Sequence, residues 1–258
     1  MSRRPLIAGN WKMHKTPRET EEFIGRFGAT ATPHDHCDVL LIPSFTSLDR
    51  AGRLLEESNI ALGAQDMHCE TAGAYTGATS PLMLVACGCR YVLVGHSERR
   101  HVFGDSNDAV GRKLRVALEN GLQPVLCIGE LLEQRHAGHT ESILEAQLSS
   151  GLEGIDDVLL ARSVIAYEPV WAIGTGETAT PDQAQTACAF IRAWVRARFG
   201  EISADAVRIL YGGSVNPSNA RDLQAQSDID GALIGGASLD PDSFAKIILA
   251  VKGVEKRC

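Results

Sequence analysis

Short runs of apolar, largely β-branched residues recur along the chain at Leu6–Trp11, Val39–Pro43, Ile60–Gln65, Tyr91–Gly95, Pro124–Gly129, Ser163–Glu168, Val207–Tyr211 and Gly231–Gly235. Longer segments with helical periodicity lie between most of them, several opened by a recognisable cap. Thr16-Pro17-Arg18-Glu19 places an N-cap threonine, a proline at the first helical position and a glutamate at the third. Thr180-Pro181-Asp182-Gln183 repeats that grammar ahead of an amphipathic run to Phe199, and Asp240-Pro241-Asp242 opens the last helix. Gly121 and Gly200 read as helix stops. Eight strands alternating with about eight helices imply an α/β protein built on a parallel sheet. Eight such units without a linker or composition break predict one closed (β/α)8 barrel over residues 1–258, a single domain. An open doubly wound sheet is the alternative, and no switch-point fingerprint supports it.

Composition changes this picture little, whereas charge sharpens it. Charged residues make up 22% of the 258 and hydrophobic residues 44%, as in ordinary globular proteins. The net charge of −7 argues against nucleic-acid or membrane-surface partners, which require a basic face. Any anionic substrate must therefore be attracted locally. The seven cysteines (37, 69, 87, 89, 127, 188 and 258) include no C-x-x-C and no zinc-like spacing, so free thiols in a reducing cytoplasm are expected, with no metal. The first ten residues are too poor in apolar side chains for a signal sequence, and no 18-residue apolar stretch predicts a membrane span.

In such a barrel, chemistry belongs on the loops that follow the strands. Strand one ends Gly9-Asn10-Trp11-Lys12, strand four Gly95-His96-Ser97-Glu98 and strand six Tyr167-Glu168-Pro169, while strands seven and eight run into Gly212-Gly213-Ser214 and Gly235-Gly236. Singly, each has a dull explanation: a solvated lysine, a structural histidine, an exposed strand terminus, tight turns. Together on one rim they supply a carboxylate to act as base, an imidazole to polarise or shuttle, and an ammonium to stabilise developing negative charge. Glycine-rich turns add backbone N–H groups for a phosphate. The set suits proton abstraction next to a carbonyl in a small phosphorylated substrate, without a cofactor.

Several segments make the chain resemble the triosephosphate isomerase family over essentially its whole length. They are Ala8–Met13, Gly63–His68, Gly73–Gly77, Val94–Arg100, Cys127–Glu130, Tyr167–Gly176, Tyr211–Val215 and Ile234–Leu239. The resemblance implies a TIM barrel, a role in glycolysis and gluconeogenesis, and interconversion of dihydroxyacetone phosphate and glyceraldehyde 3-phosphate through an enediolate. It implies Glu168 as the base, His96 as a neutral electrophile kept uncharged by the helix that follows it, and Lys12 as the charge on enediolate and phosphate, with Asn10 and Trp11 at the substrate. This family is itself the standard illustration of those roles, so they rest on the resemblance alone. Glu98 is expected behind Lys12, with Cys127 behind the site. Gly174, Ser214, Gly235 and Gly236 are expected at the phosphate. Pro169, Val170, Trp171, Ala172, Ile173, Gly174, Thr175 and Gly176 resemble the family's lid, which keeps water from an intermediate able to eliminate phosphate. The family's homodimer is implied through the Gly73–Thr79 loop. Two departures bear on lid and loop: Glu177 stands where a lysine is frequent, and Cys69 where a bulkier residue is common.

Three motifs read as decoys. Gly174-Thr175-Gly176-Glu177-Thr178-Ala179 matches a dinucleotide fingerprint formally, but five residues separate it from its strand. Gly95–Arg99 lacks the closing glycine of a nucleophile elbow. His136 and His139, placed on one helix, have no third ligand and read as solvent-facing. A Schiff-base aldolase is the rival enzyme, and strand six offers Glu168 where it needs a lysine. A binding protein that has kept the fold is the non-catalytic alternative.

Overall fold

The computed structural model describes residues 3–30, 34–173 and 177–256. Eight parallel strands close into a barrel in chain order: β1 (Leu6–Asn10), β2 (Asp38–Ile42), β3 (Ile60–Ala64), β4 (Tyr91–Val94), β5 (Gln123–Ile128), β6 (Val164–Tyr167), β7 (Arg208–Tyr211) and β8 (Gly231–Ile234). Closure is made by β1, which pairs Leu6 with Asp38 on one side and with Gly231 on the other.

The apolar runs are continuous because both faces of every strand are buried. Leu6, Ala8, Leu40, Ile42, Leu93, Val125, Cys127, Val164, Ala166, Leu210 and Leu233 point inward and fill the barrel. Their neighbours Ile7, Val39, Leu41, Val92, Val94, Leu126, Ile165 and Ile209 point outward and meet the helices. Each fully buried side chain of this size contributes about 1.5–3 kcal/mol relative to exposure.

The helix starts behave as their sequences require. In the helix Pro17–Thr30 the Glu19 N–H donates to Thr16 Oγ1 at 3.3 Å while Glu19 Oε2 accepts from the Thr16 N–H at 2.8 Å. Thr180 and Gln183 close the same reciprocal pair, and Asp240 accepts from the Ser243 N–H at 2.8 Å. Gly200, with φ 84, breaks the long helix Pro181–Ala206 where a stop was expected, and a further turn follows it. There are eleven α-helices among the described residues rather than about eight, because the β4–β5 and β5–β6 connections fold into extra short helices such as Ser97–His101. His136 and His139 are exposed but do not share a helix: Gly138, with φ 74, separates Leu132–His136 from Thr140–Gly151.

The N-terminal end of the barrel is closed by ion pairs. Asp230, fully buried just ahead of β8, accepts from Arg3 at 2.7 Å, Arg192 at 2.5 Å and the Ile209 N–H at 3.0 Å. Arg192 also donates to Asp228 at 2.6 Å and to the carbonyls of Ala204 and Val207. Asp38, at the start of β2, takes Arg4 at 2.6 Å and Arg208 at 2.7 Å.

Candidate active site

Lys12 follows β1 in a left-handed conformation, φ 50, which costs a non-glycine residue about 1–3 kcal/mol and persists only where its surroundings impose it. Here they do. Its N–H donates to Asn10 Oδ1 at 3.0 Å, and its carbonyl accepts from Gln65 Nε2 at 2.8 Å. The turn sends the ammonium across the rim to Glu98, Nζ to Oε1 2.6 Å.

Beyond β4, His96 is 5% exposed and caps the short helix that follows it. The Glu98 N–H donates to His96 Nδ1 at 3.2 Å, so hydrogen-bond geometry assigns the ring proton to Nε2. A ring that accepts at Nδ1 and donates at Nε2 is neutral. Nε2 lies 3.0 Å from Glu168 Oε1, and Glu168 Oε2 accepts from the Ser97 N–H at 2.8 Å. Glu168, 2% exposed, thus rests with both oxygens occupied.

Its backbone is held as firmly. The Glu168 N–H donates to the Ile128 carbonyl at 2.7 Å, and a Cβ on Gly129 would fall 1.7 Å from the Glu168 carbonyl oxygen. A Cβ on Gly212 would meet Glu168 Cγ at 2.9 Å, and one on Gly213 the Tyr211 hydroxyl at 2.2 Å. These rim glycines are there for space; their φ angles are not positive.

Asn10, Lys12, His96, Glu98 and Glu168 line one open cavity of about 490 Å³, walled on the far side by Ile173, Gly212–Asn216, Leu233 and Gly235–Ala237. Ser214, Gly235 and Gly236 are among these lining residues. Ser214 Oγ donates to the Ala172 carbonyl at 2.9 Å, tying the β7 turn to the segment after β6.

Trp11 is a correction. It does not line the cavity; its ring is wholly buried in the outer core, edge-on to Phe23 at 4.7 Å. Alternation explains this: the side chain after Asn10 points away from the barrel axis, toward the helices. Cys127 lies in the barrel interior, where burial first, then the Glu168 charge, pushes its thiol well above the ordinary value. That makes it a packing group, not a nucleophile.

In the lid segment, Val170–Ala172 form a 3-10 turn after Pro169. Trp171 Nε1 donates to Glu130 Oε1 at 3.0 Å, as does the Tyr167 hydroxyl at 3.1 Å, and the Arg135 guanidinium stacks on the Trp171 ring at 4.6 Å. Gly174, Thr175 and Gly176 lie outside the described residues, as does Cys258. Sequence reasoning gave no role to Gln65, Ser97, Arg100 or Glu130, although all four stand inside the segments that carried the resemblance. Among the described residues no cluster of three or more His, Cys, Asp or Glu is arranged to hold a metal.

A closed (β/α)8 barrel with a carboxylate, an imidazole and an ammonium on its C-terminal rim has the anatomy of a barrel enzyme working by acid–base chemistry. The chain belongs to the triosephosphate isomerase family, whose model matches residues 5–251. It is 52% identical to the triosephosphate isomerase of Roseiflexus sp. (strain RS-1) over 247 residues, covering 95% of this chain and 97% of the relative. That of Symbiobacterium thermophilum is 49% identical over 255 residues, 99% and 100% of the two chains, and that of Solibacter usitatus 48% over 246 residues, 95% and 99%.

Proposed function

We propose that this chain interconverts dihydroxyacetone phosphate and glyceraldehyde 3-phosphate, an aldose–ketose isomerase acting through an enediolate. The observation that carries the reading is one cavity on which Lys12, His96, Glu168 and two glycine-rich turns converge, in a chain of this family. Bound substrate places its carbonyl oxygen on His96 Nε2–H and Lys12 Nζ. Glu168 leaves the Ser97 N–H, removes a proton from the carbon beside the carbonyl and returns it to the neighbouring carbon. His96 moves a proton between the two oxygens, and Lys12 stabilises the negative charge that builds between these steps. The Glu98 carboxylate holds Lys12 Nζ at 2.6 Å, which fixes that charge at the rim. Backbone N–H groups around Ser214, Gly235 and Gly236 take the phosphate, so a chain of net charge −7 binds an anion through local dipoles.

The lid closes over the intermediate and excludes water from it. The working form is a homodimer in the cytoplasm, with the barrel as its one catalytic domain. Residues 70–78 stand exposed, Tyr75 packs at a tilt on His68 at 4.1 Å, and Tyr75 and Met13, the latter 95% exposed, offer apolar surface suited to a second copy.

A coupled isomerase assay on the purified chain tests the reading, with Glu168→Asp as its control. Shortening the base by one methylene should lower turnover by about a hundredfold or more while a phosphorylated inhibitor binds as before. Equal turnover in the two proteins sinks the role given to Glu168.

A further inference from the structure

Arg100 stands one helical turn after His96 and holds the peptide groups on both sides of that residue. Its Nε donates to the Gly95 carbonyl at 2.7 Å, and its backbone N–H donates to the His96 carbonyl at 3.0 Å. The Gly95–His96 peptide plane is thereby fixed by the side chain and the His96–Ser97 plane by the main chain. The second plane carries the Ser97 N–H that holds Glu168 Oε2. The rest of the guanidinium is anchored outside this turn: one terminal nitrogen donates to the Cys127 carbonyl of β5 at 3.1 Å, the other to Asn107 Oδ1 at 2.6 Å.

Three features mark this as a built arrangement. Strand pairing between β4 and β5 ends at Val94 and Leu126, so Cys127 presents the first carbonyl past the ladder, and Arg100 takes it. Gly95 has φ 74, and a Cβ there would lie 2.6 Å from a terminal nitrogen of Arg100, so the guanidinium occupies space that only glycine leaves. All three side-chain acceptors are neutral oxygens, and among the described residues no carboxylate lies within 4.0 Å of this cation. An arginine serving only to pair a charge would seek a carboxylate; this one spends its planar fork on carbonyl positions.

We propose that Arg100 is a positioning residue for the isomerase reaction, setting the direction in which His96 Nε2 and the Ser97 N–H face Glu168 and the cavity. The proposal rests on the isomerase reading of the site. A lysine at this position keeps the charge but cannot reach Gly95, Cys127 and Asn107 together. The turn then relaxes by a fraction of an ångström, while the glycine turns that bind phosphate, on β7 and β8, stay in place.

The test is steady-state kinetics on the full chain for Arg100→Lys and Asn107→Ala beside wild type, with inhibitor affinity and Tm measured on each. For Arg100→Lys the expected result is a fall in kcat of about ten- to a hundredfold, with KM and phosphorylated-inhibitor affinity within about twofold. Asn107→Ala removes only the outer anchor at an exposed site, so it folds even if Arg100→Lys does not. It should lower kcat by about two- to fivefold with the same unchanged KM. An unchanged kcat in Asn107→Ala, or equal losses in kcat and inhibitor affinity in either variant, overturns the proposal. A wild-type chain without isomerase activity overturns the functional reading and this proposal with it, whereas active wild type beside unaltered variants overturns Arg100 alone.

Discussion

The two ends of the barrel are built from the same eight strands and treat charge in opposite ways. At the N-terminal end Asp230, Asp228 and Asp38 meet Arg3, Arg192, Arg4 and Arg208 in short pairs, and Asp230 is wholly buried. At the C-terminal end Lys12, His96, Glu98 and Glu168 face a cavity of about 490 Å³ and touch one another at its edge. The first arrangement turns its charges on one another and joins residues near both chain ends. The second has room because glycines stand where side chains would fill it. The difference is one of vacancy: charge satisfied by protein holds the fold, and charge left facing open space is free to act on something else.

The comparison can be broken at either end. The largest effect is expected from Asp230→Asn, which leaves Arg192 and Arg3 short of a buried anion. Losing one partner of a buried pair costs about 3–5 kcal/mol, so Tm in thermal unfolding should drop sharply while kcat measured at low temperature stays near wild type. A matching fall in kcat would mean that the two ends are not separable. Lys12→Met reverses the outcome. Activity should fall by about 10²–10³-fold for loss of charge stabilisation at the reacting oxygen. Stability should hold or rise, because the strained Lys12 turn is fixed by backbone and Asn10 contacts rather than by the ammonium.

The smallest effect concerns acid. Burial pushes the Asp228 carboxyl up, but hydrogen bonds from Gln185 and Arg192 outweigh it and hold the group below its ordinary value. A depressed carboxyl lends stability that is full above its unfolded value near about 3.9 and is lost as pH falls through the lower folded value. Asp228→Asn should therefore flatten the Tm-against-pH curve below about pH 4 and leave it parallel to wild type above. An identical acid slope in the two proteins would remove Asp228 from the account.

The fold was legible almost to the residue, since strands buried on both faces must be continuous apolar runs. Val164–Tyr167 and Gly231–Ile234 sit inside the runs read at those positions. The extra helical turns were not legible, because Ser97–His101 is polar and owes its shape to a histidine cap and an arginine clamp. At the site, residue types at the strand ends pointed to Lys12, His96 and Glu168, which line the cavity. The direction of Trp11 did not follow, because a motif gives neighbours in sequence and alternation sends them to opposite faces. Nor could sequence show that Gly129 and Gly212 are required by contact with Glu168, since those contacts cross between strands.

That contact limits how the base can travel. With its N–H on Ile128, its carbonyl against Gly129 and its Cγ over Gly212, the Glu168 main chain is a fixed fulcrum, and the side chain is a lever of set length. Any stroke from Ser97 toward substrate must be rotation about side-chain bonds. A shorter lever cannot be made up by sliding the strand, and the same fulcrum returns the carboxylate to one resting place after every cycle.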